Sequence, residues 1–534
     1  MQKMFPSFAA SALAISLALA FPAHAAAPVV QEAPLRAHLS FLSNDVLEGR
    51  GTGQRGADLT VAYLESQALA VGLKPGNGNS YRQLVKIAGV KTQPAESTLK
   101  LEAGGQPLAL EFGKDWVWAP GDAQAAHSFN ADLVFVGYGI TAPEEQWNDF
   151  KGQDLKGKLL VMMVNDPQPT AEQPNRFNGK GLTYYGRWTY KFEEAKRQGA
   201  AGVLLIHTTP TASYGWSVIQ NSWAGIERFQ LAEGAPGSAL QGWMTEDAAR
   251  ALFKAAGQDL DALRTAAERK DFQPVPLAAK LNGEMKAAVR KVEQFNVAGV
   301  VPGTDPKLKQ EVVIYSAHWD HLGKQGESGD TIFNGAVDNA SGTAALLAMA
   351  QEAVKSPSKR SQMFLWVAAE EQGLLGSAAY GVAPLWPMDK TAANLNLDSL
   401  NFVGKTRDIG TQGSERTELG KMAAATAKAM GMQIAEAEPD LAGGYFRSDH
   451  FNFAKAGVPA FSIEAGREYL KDAAAAKVKV DAYAKRYHQV TDEYDPSWDL
   501  AGMTQQAQFT LNLGRMIADA PKMPEWKAGD AFAK

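Results

Sequence analysis

Histidine and carboxylate side chains recur at separate points in the second half of the chain: His318-Trp319-Asp320-His321, Asp338, Glu370-Glu371, Asp398 and Tyr487-His488. There is no cysteine. That removes thiolate catalysis, disulfides and Cys-ligated zinc, and leaves His, Asp and Glu as the strong metal ligands. Each piece alone says little, since a His-x-Asp is more often an ordinary polar turn and adjacent glutamates are usually solvated. Their placement together says more. Burying so many unpaired carboxylates would cost several kcal/mol each unless cations neutralised them. A set built only from imidazole and carboxylate, with enough groups for two sites, suits a pair of zinc ions.

The pieces stand where apolar runs stop. The run 311–317 delivers His318, the run 363–369 delivers Glu370 and Glu371, and the short run 393–397 delivers Asp398. Asp338 opens a helical stretch over 342–354, whose Leu346, Leu347, Ala350 and Val354 share one side. His488 lies in a loop near the end. Continuous apolar runs such as Val312–Tyr315 and Met363–Val367 suit strands buried on both faces. Their alternation with helices after about Leu277 predicts an α/β fold with a mostly parallel sheet flanked by helices. In such sheets ligands bind outside the carboxyl ends of the strands, which is where these residues fall.

Upstream, residues 34–76 read as two helices around the Gly-rich break Glu48–Gly53. From about 131 to 274 short β-like runs such as Leu133–Val136, Leu159–Val164 and Gly202–Ile206 alternate with turns and a helix-like piece at 191–198. This stretch holds no catalytic cluster and reads as an inserted, mainly β module. At the start, Lys3, the apolar run Ala9–Phe21 and Ala23-His24-Ala25 form a signal-peptide pattern, so export to a periplasm or the medium is expected. The divisions expected are 1–25 signal peptide, 26–125 and 278–534 as two parts of one domain, and 126–277 as the insert. At 534 residues the chain exceeds one compact domain. Lys plus Arg is 53 against 58 Asp plus Glu, a net charge of −5. Without a basic excess, nucleic acid is not an expected partner. No later stretch suggests a membrane span, and oligomeric state is left open.

These motifs resemble the co-catalytic di-zinc exopeptidases that include bacterial leucyl aminopeptidases, aminopeptidase Y and glutamate carboxypeptidases, and the inserted segment resembles a protease-associated domain. The resemblance implies that His318 and Asp398 hold one zinc, Glu371 and His488 the other, and that Asp338 bridges them. It implies Glu370 as general base, Asp320 as the carboxylate orienting His318, and a cis peptide at Asp338–Asn339. Tyr487 matches a tyrosine that donates to the oxyanion in some members, and Arg447 an arginine near the substrate. His321 is surplus to the ligand count, so a supporting role beside the ligands is expected of it rather than coordination; His450 reads as structural, and Asp492 could orient His488 or cap a helix. His38, His127 and His207 lie outside every motif. Peptides are the implied substrates, with an aminopeptidase favoured because an acidic site suits a free amino terminus; a carboxypeptidase is the alternative. A one-zinc glutaminyl-cyclase-like acyltransferase and a non-catalytic receptor-like relative would each require lost ligands.

Overall fold

A computed structural model describes residues 28–212, 214–234 and 237–533. The signal-peptide pattern lies outside the described residues. Among them, no helix is long and apolar enough to cross a membrane.

One long strand, Val275–Val301, is the spine of a 15-stranded sheet. Its end, Val297–Val301, pairs antiparallel with Ser361–Val367. Beyond that strand come Val312–His318, Thr391–Leu397 and Ala460–Ile463, all four mutually parallel. Every residue of the four is buried, which is why they read as unbroken apolar runs. The helices Ser341–Lys355 and Ala501–Asp519 pack against each other and against the His318 strand, while Leu375–Val382 packs against His450–Lys455. The two N-terminal helices, Glu32–Leu42 and Arg55–Ala70, complete this core.

The earlier half of the spine pairs with Ala126–Phe135 and leads into a second parallel run: Ala126–Phe135, Leu159–Met163, Gly202–His207 and Leu240–Thr245. Alternate residues enter two different apolar clusters. Leu133, Val161 and Leu204 join one with Leu252 and Phe253 of the helix Glu246–Ala255. Val134, Leu160 and Val203 join the other with Phe192 and Ala195 of the helix Trp188–Arg197. Both faces of this half are thus covered, each by a helix.

Two connections tie the halves together. Trp116–Ala119 and Lys100–Ala103 pair within the second half, so that layer draws on chain preceding residue 126. In the other direction, Glu227–Leu231 leaves the second half and pairs with Arg82–Thr92, which runs antiparallel to the spine. This strand brings Arg228 to the edge of the half of the sheet that carries His318.

Candidate metal centre

His318 ends its strand with a fully buried ring. Its Nε2 lies 3.3 Å from Oδ1 of Asp338 and 3.4 Å from Oδ1 of Asp398. Across the bridge, Nε2 of His488 lies 3.1 Å from Oδ2 of Asp338 and 3.2 Å from Oε2 of Glu371. Asp338 therefore gives one oxygen to each set. A tetrahedral zinc with bonds of about 2.0–2.1 Å sets its ligand atoms about 3.3–3.4 Å apart. The separations on both sides of Asp338 agree with that spacing, so these residues fit two such ions. The grouping His318, Glu370 and Asp398 likewise offers ligand atoms within 4.8 Å of one another.

Local backbone aims these groups. The peptide Asp338–Asn339 is cis. The Asn339 side chain accepts from the amides of Gly342 and Ser399 and donates to the Leu397 carbonyl. It therefore ties the Asp338 turn to the Asp398 strand end. A Cβ at Gly342 would lie 2.5 Å from Asn339 Oδ1 and from the Leu397 carbonyl, so only glycine allows this approach. Ala369, Ser399 and His488 have φ of 53°, 56° and 57°, left-handed backbone in non-glycine residues. Such strain collects where the surroundings fix a functional geometry.

The supporting shell is polar and long-range. Both oxygens of Asp320 accept backbone amides, from Glu370 at 3.0 Å and Glu371 at 3.3 Å. The same carboxylate is 3.8 Å from Nδ1 of His318, whereas the Asp320 carbonyl is 3.2 Å from it. The acceptor nearest that nitrogen is thus the Asp320 backbone. Asp398 accepts from Ser448 at 2.7 Å and Ser399 at 3.2 Å. Asp492 bonds not to His488 but to the start of the helical segment Ala336–Ala340. It accepts the amides of Val337 and Asp338 at 3.2 and 3.1 Å. Arg50, fully buried, donates to the carbonyls of Trp319, Asn334 and Gly335 beneath the site. Nothing in the sequence marks Ser448, Ser399, Arg50 or Asn339 for this support.

Without cations the electrostatics are unbalanced. Burial, then the charges of Glu371, Asp398 and Asp449, push the Glu370 carboxyl well above its usual range. Burial disfavours the charged His318 ring, but Glu370 and Asp398 outweigh it and raise its pKa. His488 is likewise raised to about 10, against burial, by Asp338 and Glu371. Five carboxylates converge here with three imidazoles, a charge that two dications would offset.

The centre opens into a cleft of about 650 Å³. Glu370, His488 and Tyr487 line it, and the Tyr487 ring stacks on the His488 ring with centroids 3.9 Å apart. Arg447 faces the same cleft, with Arg187 and Arg228 from the second half of the sheet. None of the three has a carboxylate partner among the described residues. Burial, reinforced by neighbouring Arg447, lowers Arg187 to about 10, and burial lowers Arg228 to about 10. Arg228 rests 3.5 Å above the Trp223 ring. His450 also lines the cleft, buried and held neutral by burial, with its pKa lowered to about 4. His38, His127 and His207 bond to Tyr63, Asp122 and the Tyr214 carbonyl, outside the centre.

Residues 296–511 of the chain match the profile of peptidase family M28. The chain is 31% identical over 220 residues to an aminopeptidase of Pseudomonas aeruginosa, covering 38% of each chain. It is 30% identical over 182 residues to a probable leucine aminopeptidase of Arthroderma otae, covering 33% of this chain and 48% of that one. The chain thus spans about two fifths to one half of the length of these curated relatives. Among solved structures, an aminopeptidase from Aneurinibacillus sp. strain AM-1 superposes with a TM-score of 0.48 at 19% identity, over 92% of this chain and 95% of that one. A zinc aminopeptidase from Bacillus subtilis gives 0.42 at 16% identity, over 92% and 97%.

Proposed function

We propose that this protein is an exported aminopeptidase that hydrolyses N-terminal residues from peptides at a two-zinc centre. The observation that carries the reading is the pair of ligand sets sharing Asp338, with Glu370 beside them. His318 and Asp398 would hold one ion, Glu371 and His488 the other, and Asp338 both. When bound, the ions would polarise the scissile carbonyl and lower the pKa of the attacking water. Glu370 accepts the water proton and passes it to the departing amine; its crowded, raised carboxyl is suited to holding that proton between steps. Tyr487, beside His488 at the cleft, is placed to donate to the developing oxyanion. Asp320 keeps the Glu370–Glu371 turn aimed through both amides. The 126–277 segment, read as a protease-associated module, walls the cleft with Arg187 and Arg228 and limits it to short or unfolded peptide ends.

The test is Glu370→Gln. Turnover of a leucyl anilide should fall at least 10³-fold, the scale of a lost general base together with its charge, while metal analysis still finds two zincs. Full activity in this variant would refute the assignment.

A second reading has its own observation. Three arginines without carboxylate partners face the cleft, and guanidinium forks suit a terminal carboxylate. On that reading the enzyme trims or anchors the carboxyl end. Comparing N-acetylated peptides with C-amidated ones separates the two: an aminopeptidase is blocked by the first modification, a carboxypeptidase by the second.

A further inference from the structure

His321 has no place in the ligand set that the resemblance implies, yet its ring is fully buried at the centre, and with Asp338 and Glu371 it forms a second grouping whose ligand atoms lie within 4.8 Å of one another. Its Nδ1 lies 2.6 Å from Oε1 of Glu371. The other oxygen of that carboxylate, Oε2, is the one 3.2 Å from His488 Nε2. The two separations mean different things. At 3.2 Å a pair of atoms can share a tetrahedral zinc, whose ligand edges are about 3.3–3.4 Å. At 2.6 Å the pair is too close to share one and is a charge-assisted hydrogen bond. Because an ionised carboxylate only accepts, Nδ1 carries the proton.

The ring is held in that pose from several sides. The His488 ring meets it nearly edge-on, with centroids 5.6 Å apart. Its backbone bridges to Gly51. Gly335, at φ +53°, leaves it room, since a Cβ there would come 2.5 Å from the ring.

We propose that His321 is a positioning residue for Glu371: its Nδ1–H occupies Oε1, so that Oε2 alone is presented with Asp338 Oδ2 and His488 Nε2 as a metal-binding edge. The inference rests on the two-zinc reading above. It assigns the two oxygens separate tasks, and it also steadies Glu370, the residue just before Glu371 in the same turn.

Zinc affinities of the intact protein, measured by competition with a chromogenic chelator, test this. In His321→Leu one of the two zincs should bind about 10–100-fold more weakly, the usual cost of losing such a supporting bond, with the other unchanged. His321→Asn should recover most of the loss, because its amide nitrogen stands where Nδ1 does. Equal loss in both variants would make His321 a ligand and overturn the proposal, as would two unchanged zincs in His321→Leu. Nitrogen-15 NMR of histidine-labelled, zinc-loaded wild type gives an answer that needs no variant. A proton on His321 Nδ1 and no zinc shift at Nε2 is expected, and a metal-bound His321 nitrogen overturns the proposal. Wild type that binds fewer than two zincs would instead count against the two-zinc reading itself.

Discussion

Asp492 is the residue through which Asp338, the aspartate proposed to bridge the two ions, can be disturbed without touching a proposed ligand. Its side chain is fully buried, and its two oxygens take the amides of Val337 and Asp338 at 3.2 and 3.1 Å. Tyr483 donates to the same carboxylate at 3.4 Å. In Asp492→Asn one oxygen keeps an amide, while the new NH₂ group faces the other amide donor to donor. A hydrogen bond to a charged group contributes about 1.5–3 kcal/mol, and a buried amide left unpaired costs about 1–3 kcal/mol. The folded cation-free protein should therefore lose about 2–4 kcal/mol, read from urea denaturation. The turn carrying Asp338 should lose its aim as well, weakening both zincs together by about 10–100-fold, or about 1.4–2.7 kcal/mol. The joint effect is the signature, because Asp338 gives one oxygen to each set; a defect in His488 or Glu371 would weaken one site alone. Chelator competition on the purified variant reads both constants. Wild-type affinities with an unchanged urea midpoint would refute the role, and weakening of a single site would show that Asp338 does not serve both.

Two further outcomes follow from the same geometry. Before cations bind, the carboxylates beside them raise the pKa of His318 and raise that of His488 to about 10, so His488 carries a proton at neutral pH. Zinc takes the neutral ring, so loading should release protons and tighten as pH rises; calorimetry in buffers of different ionisation enthalpy measures this, and buffer-independent heats would contradict it. Arg50 satisfies three buried carbonyls around the Trp319 and Asn334–Gly335 turns, so Arg50→Gln should lower stability by about 1–3 kcal/mol for each carbonyl left unpaired in urea denaturation, and a change below about 0.5 kcal/mol would sink that role.

How much of this was legible depends on the distance over which each interaction acts. The strands carrying His318, Glu370 and Asp398 are visible because full burial on both faces writes an unbroken apolar run, and the run stops where polar chemistry begins. The helix opened by Asp338 is equally local: Leu346, Leu347 and Ala350 mark its buried side. The groups that aim those residues carry no such mark. Asp492 binds an amide 154 residues away, and Arg50 donates to a carbonyl 269 residues away. An isolated Asp or Arg looks the same whether it is solvated or holds a distant turn. His321 reads as a supporting residue beside the ligands, but ligand count cannot say that its partner is the second oxygen of Glu371. The edge strand Glu227–Leu231 shows the same limit in the fold. Its Glu-Arg-Phe-Gln stretch is only half-buried, so neither alternation nor an apolar run announces a strand. Yet its pairing with Arg82–Thr92 is what carries Arg228 to the cleft. The proposed ligands are legible because chemistry and strand ends coincide along the chain; the wall of the cleft is not, because it forms only when distant segments meet.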